Sequence, residues 1–187
     1  LTFNLDTEYI TICGVYDYQH HHKMSLRHKY TKTIATILNK FKHTNVFLIG
    51  DFQSHTPSPV VQTVGTTRRP PPNRLLIQSI TNQPNTHTSI IPHLHPHQPY
   101  ITRWGPDQGR GIDHIFVPHD ITPRISHADI DHTYAQHYIN SDHELIYADL
   151  RTITTAPTTN NLPSPPNKPP PRYRHIAAIP VILPKPS

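Results

Sequence analysis

Three short segments of this chain bring a carboxylate to the border of an apolar run. Asn45-Val46-Phe47-Leu48-Ile49-Gly50-Asp51-Phe52-Gln53 is the first, and Gly111-Ile112-Asp113-His114-Ile115-Phe116-Val117 the second. The third, Ser141-Asp142-His143-Glu144-Leu145-Ile146-Tyr147, adds an imidazole beside its carboxylate. Short continuous apolar runs of this kind read as buried strands. An ionised aspartate is not tolerated inside such a strand, so Asp51 belongs where its strand leaves the core. In an open α/β sheet that exit is where ligands and chemistry gather. From Phe52 to Pro106 there is no acidic residue, while Arg68, Arg69, Arg74 and Arg103 are present. A basic stretch beside a lone carboxylate suits a phosphate-bearing partner, and a solvated basic loop is the competing reading.

The elements that must position these groups follow from the pattern around them. Leu1-Thr2-Phe3 reads as strand, and Tyr9 to Tyr16 alternates well enough for another. Asp17 to Lys23 is a polar, His-rich loop, and Ser25 is placed to cap a helix. Leu26, Tyr30, Ile34, Ile37, Leu38 and Phe41 recur at three- and four-residue spacing. They make one apolar stripe on a helix of about four to five turns. Lys40, Lys42 and His43 suit the negative pole at its end. The run ending at Asp51 comes next, so strand, helix and strand occupy about 45 residues, the size of one crossover unit.

Beyond Asp51, Pro57, Pro59 and Pro70 to Pro72 mark a loop. Asn73 to Ile80 reads as a short helix with Leu75, Leu76 and Ile80 inward. Asn82 to Pro99 is dominated by Pro, His, Asn and Thr and reads as loop. Tyr100 to Trp104 is a short strand, and Asp107 to Gly111 a turn. Ile112 to Val117 is a strand closed by Pro118. Ile125 to His132 and Glu144 to Leu150 complete the series.

At 187 residues the chain is long enough for one domain with a real core. Only 34% is hydrophobic and 22 residues are Pro, so not all of it is expected to fold. Ten of those prolines lie between Pro157 and Pro186. From Arg151 onward there are five Lys or Arg and no Asp or Glu. That segment, 152–187, reads as an extended basic tail of polyproline II character. The folded part is expected over residues 1–151. Formal net charge is +5, with 17 His that add to it in acid. The single cysteine, Cys13, excludes an intrachain disulfide and a Cys-based zinc site, and reads as a small buried hydrophobe. No stretch approaches the roughly 20 apolar residues of a membrane span. An intracellular setting is the simplest expectation. The chain begins with Leu, and a piece of a longer protein is expected.

Taken together, the motifs resemble the endonuclease/exonuclease/phosphatase superfamily. This is the group of pancreatic deoxyribonuclease, apurinic/apyrimidinic endonucleases, sphingomyelinases and inositol polyphosphate 5-phosphatases. Gly-Asp-Phe-Gln (Gly50 to Gln53) resembles its Gly-Asp-Phe-Asn, and Gly111 to Val117 resembles its Arg-Ile-Asp-Tyr-Ile-Phe-Val. Ser141-Asp142-His143 matches its closing Ser-Asp-His. Tyr16 fits its Val-Tyr-x-Pro, and Thr102-Arg103-Trp104 its Thr-Trp-like strand. Ile-Asp-His-Ile with a basic Pro-rich trailer is most similar to the endonuclease domains of non-LTR retrotransposons. The resemblance spans about residues 8 to 150.

The resemblance implies an α/β fold: an α-β-β-α sandwich of two mixed sheets with outer helices, incomplete at its N-terminus. It implies a metal-dependent phosphodiesterase of endonuclease type that nicks DNA within a retroelement polyprotein. A fused reverse transcriptase, a nuclear location and a Mg²⁺ or Mn²⁺ ion go with it. Asp51 would orient or deprotonate the water and touch the metal, and Gln53 would stand beside it in the family's Asn position. Asp113 would hold His143, whose imidazole would stabilise the scissile phosphate. Asp142 would lie at the metal. Tyr16 would donate its hydroxyl to a phosphate oxygen. Thr102, Arg103 and Trp104 would touch the nucleic acid.

Each residue also has a plainer reading when taken alone. Asp51 reads equally as a turn-capping aspartate after a strand, Asp113 and His143 as a structural pair, and Trp104 as a core side chain. The His20-His21-His22 triplet, and the His-rich stretch at His93, His95 and His97, are compositional first and metal-binding second. Two departures from the family pattern stand out. Its N-terminal Asn and metal-binding Glu have no counterpart, since Glu8 lies in the wrong context. Gln53 replaces its Asn and carries one extra methylene. The rival functions are an inactive remnant that binds nucleic acid weakly, a small-molecule or lipid phosphodiesterase on the same fold, and a His/Pro-rich interaction protein.

Overall fold

The computed structural model describes residues 1–5, 8–17, 24–41, 45–56, 60–65, 74–82, 86–106, 108–133 and 141–151, with side chains at all of these except 24–27 and 74. The expected tail (152–187), the His20–His22 triplet and the prolines at 57, 59 and 70–72 lie outside the described residues. In chain order the strands and helices are β1 (Thr2–Leu5), β2 (Glu8–Tyr16), α1 (Met24–Lys40), β3 (Asn45–Asp51), β4 (Thr63–Gly65) and α2 (Arg74–Thr81). These are followed by β5 (His87–Ser89), α3 (Ile90–Leu94), β6 (Arg103–Gly105), β7 (Gln108–Arg110) and β8 (Asp113–Pro118). A 3₁₀ turn (His119–Arg124), β9 (Ile125–Asp131) and β10 (Leu145–Leu150) complete the order. None of the described helices is long and apolar enough to cross a membrane.

Parallel strands need a crossover, and the amphipathic α1 supplies it between β2 and β3. The resulting sheet has the order β1-β2-β3-β8-β5 and is mixed, since the other three pairings are antiparallel. Side chains alternate across it. Val46, Leu48 and Phe116 face the helices, against Ile34 and Leu38 of α1 and Leu76, Ile77 and Ile80 of α2. Phe47, Ile115 and Val117 face the other way, against Ile125 and Ala128 of β9 and Ile146 and Leu150 of β10. β9 and β10 pair as a second, antiparallel sheet. Two sheets thus meet face to face with α1 and α2 outside the larger one, and α3 adds Ile90 and Ile91 to the core between them. The α/β class is as expected, while the second sheet is antiparallel and not mixed. Truncating the fully buried Leu48 to Ala is expected to cost about 2–5 kcal/mol.

A third, small sheet of order β4-β7-β6 stands beside the first two. Neither β4 nor β7 follows from the sequence reading. β7 occupies part of the expected Asp107–Gly111 turn, because Gln108–Arg110 finds partners on both sides. The expected Asn82–Pro99 loop likewise holds β5 and α3. β5 completes the edge of the large sheet on β8, and Ile90, Ile91 and Pro92 are buried. Pro92 is tolerated because it falls in the first turn of α3, where its missing N–H has no partner to lose. The strand expected from Tyr100 begins only at Arg103.

Two side-chain expectations also change. Leu75 is exposed, and Ile77 takes the inward place beside Leu76 and Ile80. α1 begins at Met24, so Ser25 lies within the first turn instead of capping it. Cys13 is partly buried against the helix-facing core, and burial raises its thiol pKa.

Candidate active site

Strand register does most of the assembly. Tyr16 is the parallel partner of Asp51, and Asp51 is the antiparallel partner of Asp113. Partners in register share a face. Asp51 and Asp113 continue the alternation of Phe47 and Ile115, so both carboxylates emerge on the side of the second sheet. Gly50 makes the exit possible. Its φ is +143°, and a Cβ there would run into the Val15 carbonyl of the neighbouring strand.

Asp113 is the hub. His143 Nδ1 lies 3.0 Å from each of its carboxylate oxygens. The buried Thr102 hydroxyl donates to Asp113 Oδ2 at 2.6 Å. That same hydroxyl accepts the backbone N–H groups of Ile112 and Asp113 at 3.1 and 3.0 Å. The Tyr100 hydroxyl donates to the Asp113 carbonyl. Burial alone would lower the His143 pKa, but the Asp113 hydrogen bond and charge, with Asp51 behind, raise it above its ordinary value. With Nδ1 directed at Asp113, Nε2 is the nitrogen left for a substrate.

Asp51 is buried and receives two bonds from one residue. The Gln53 backbone N–H donates to Oδ1 at 2.8 Å, and the Gln53 side-chain amide donates to Oδ2. Gln53 reaches both oxygens by adopting φ +48°, a left-handed conformation uncommon for a long side chain. Burial pushes the Asp51 pKa up to about 6, the Asp113 charge adds to the rise, and the Gln53 bonds and His143 oppose it.

Ligand atoms of Asp51, Asp113 and His143 all lie within 4.8 Å of one another. Two carboxylates forced together, with the pKa of one raised by the other, are a donor set that fits a divalent cation of oxygen preference. Asp142 stands apart from that cluster. Its side chain is 54% exposed and accepts from Arg103 Nε at 2.9 Å, while Oδ1 lies 3.9 Å from His143 Nε2. The expected metal role of Asp142 therefore has the Arg103 guanidinium as a competitor.

The three expected nucleic-acid contacts separate. Arg103 is the bridge partner of His143 and shares its face. Trp104, next along the strand, points to the opposite face, packs its ring where a Cβ on Gly109 would be, and remains 43% exposed. Thr102 is fully buried and supports Asp113, so it has no surface to offer. Glu8 is remote from the site. Arg124 grips its two oxygens and Asn45 Nδ2 donates to Oε2 at 2.9 Å. Tyr100 and Thr102 are the supports that sequence reasoning did not assign. Tyr100 carries no sequence signal for this, whereas Thr102 lies in the Thr102-Arg103-Trp104 segment whose resemblance implies a nucleic-acid contact instead.

No family model matches this chain, and no curated protein matches it. Solved structures do. NExo from Neisseria meningitidis, a 3′–5′ exonuclease, superposes with a TM-score of 0.58 at 15% identity, over 76% of this chain and 61% of its own. NExo from Neisseria as a 3′ phosphatase bound to product DNA hairpin gives 0.60 at 13%, over 80% of this chain and 63% of its own. This chain is similar in fold to NExo. It spans about three fifths of the length of these two structures. At such identity the likeness to NExo is one of architecture, and it agrees with the sandwich the motifs implied.

Proposed function

We propose that this chain is a metal-dependent phosphodiesterase acting on DNA, with Asp51, Asp113 and His143 at its centre. The observation that carries this reading is the meeting of an Asp113-held imidazole with the Asp51 carboxylate, from segments far apart in the chain. Hydrolysis of a phosphodiester needs a base for water and a cation facing the developing negative charge. Asp51, with its pKa near 6, is ionised at neutral pH yet more basic than a solvated aspartate. It takes the proton of the attacking water. Asp113 holds His143 Nδ1 and keeps the ring protonated, so Nε2–H faces the phosphoryl oxygens. Gln53 fixes the Asp51 carboxylate plane. Tyr16, in register with Asp51 and half exposed, offers its hydroxyl to a phosphate oxygen. A Mg²⁺ or Mn²⁺ ion held by Asp51 and Asp113 would supply further charge neutralisation.

The finer reading is a nicking endonuclease of a nuclear retroelement polyprotein with a fused reverse transcriptase. It rests on the Ile-Asp-His-Ile motif and the basic Pro-rich trailer. The inactive-remnant reading draws on one observation: Glu8 is taken by Arg124 and brings no carboxylate to the site. A plasmid-nicking assay with Mg²⁺, run beside Asp51→Ala and His143→Ala, decides. Nicking that vanishes in both variants supports the enzyme. No nicking by the unaltered chain, or nicking that survives both substitutions, overturns it.

A further inference from the structure

The small sheet carries a row of donors that the reaction above does not use. Thr63 is the register partner of Arg110, Arg110 of Arg103, and Arg103 of His143. Directly opposed residues of antiparallel strands point to one face. The row therefore runs from the catalytic imidazole across three strands, with His55 at its far end, where Nε2 lies 3.2 Å from Thr63 Oγ1. Burial lowers the His55 pKa, and the Arg110 charge lowers it further. All of these side chains keep part of their surface open. Among the described residues Asp142, next to His143, accepts from Arg103 through Nε. A guanidinium has five N–H donors, so the Nε bond to Asp142 leaves the end nitrogens of Arg103 for a further acceptor. At the usual strand spacing the row spans about 14 Å, the axial length of about four phosphates on one strand.

We infer that His143, Arg103, Arg110 and Thr63 form a phosphate track that grips a polynucleotide strand to one side of the cleaved bond. This rests on the proposed DNA substrate and narrows it to a chain of several phosphates, since a lone phosphodiester would reach only the His143 end. Trp104 lies on the other face and takes no part.

Salt-dependent binding of a labelled single-stranded oligonucleotide to the full chain tests the track, by anisotropy between about 50 and 200 mM salt. Arg110→Gln should reduce the slope of log K against log salt by about 0.7 and weaken binding about three- to tenfold. Arg110→Lys, which keeps the charge, should retain the slope. Lys32→Gln, on the exposed side of α1, should leave it unaltered. No binding, an unchanged slope in Arg110→Gln, or an equal drop in Lys32→Gln overturns the track. Hydrolysis of bis(p-nitrophenyl) phosphate reads the reaction separately. Its absence beside an Arg110-dependent slope would sink the proposed chemistry and leave the track standing.

Discussion

Asp51 and Asp113 stand directly opposite each other on adjacent antiparallel strands, with both carboxylates on one face of the sheet. Burial opposes the ionisation of Asp51, and the like charge of Asp113 adds to the effect. The folded pKa of Asp51, about 6, lies above its ordinary 3.8. A raised carboxyl pKa means that the folded state binds the proton more tightly than the unfolded state. The stabilisation is thus complete below about pH 3.8 and is lost as pH rises through about 6. Asp51→Asn should therefore stabilise the protein at pH 7.5, by on the order of 1–3 kcal/mol, and hardly at all at pH 4. Urea unfolding at the two pH values measures this. An equal gain at both would show that repulsion and burial of the charge are not the cause.

A divalent cation should relieve the same repulsion. Mg²⁺ at a hundredfold excess over its dissociation constant would add about 2.7 kcal/mol to stability. Thermal melts at pH 7.5 should show this rise for the unaltered chain and lose it in Asp51→Asn.

The pH profile of cleavage should be a bell. Its rising limb follows ionisation of Asp51 near pH 6. Its falling limb follows deprotonation of His143, whose pKa stands above 6.5. The Gln53 hydrogen bonds lower the Asp51 pKa, so Gln53→Ala should move the rising limb to higher pH. Asp113→Asn removes the charge that holds the imidazolium. It should move the falling limb to lower pH and reduce kcat by about 10²- to 10⁴-fold. Initial rates of oligonucleotide cleavage across pH 5 to 9, on the order of one unit per step, resolve both limbs.

Gly50→Ala should be poorly tolerated. The residue occupies a left-handed region, and its Cβ would meet the Val15 carbonyl of a central strand. Separation of β2 from β3 at that point would carry Tyr16 away from Asp51. A loss of about 3 kcal/mol or more is expected from the clash together with the backbone strain, read by chemical denaturation.

Arg124→Ala should destabilise the fold without touching the site. Arg124 binds Glu8 through two nitrogens and the Arg151 carbonyl through two bonds, and so ties β2 to the end of β10. The Glu8 pKa is lowered, first by the Arg124 hydrogen bond. A depressed carboxyl pKa stabilises the fold above its ordinary value of 4.5, and the contribution fades as pH falls through the folded value. Arg124→Ala should cost about 1–3 kcal/mol at pH 7 and progressively less below about pH 4. Equilibrium unfolding at the two values separates this pair from a purely steric effect.

Much of α1 and of the two sheets that form the sandwich was legible because their signals are local. β2, α1, β3, β8, β9 and β10 announce themselves by alternation, by a helical stripe, or by a short apolar run. Of the small sheet only β6 was foreshadowed, by the expected Tyr100 to Trp104 strand. β4, β6 and β7 are three residues each, and Gly65, Gly105 and Gly109 give them a turn-like composition. What makes them strands is mutual pairing, which no single window contains. The same holds for β5, whose three residues gain their backbone partners from β8.

At the site, sequence alone determined which groups are available: three aspartates at the ends of apolar runs, one imidazole beside the last, and a glycine before the first. A carboxylate is costly in a dry strand without partners, so those positions were expected near strand ends. Only the tertiary structure decided how they share their partners. It gave Asp113 to His143 and Thr102, Asp142 to Arg103, and Glu8 to Arg124. Those choices depend on how the fold brings together segments up to 116 residues apart, where each hydrogen bond made by one donor is denied to another.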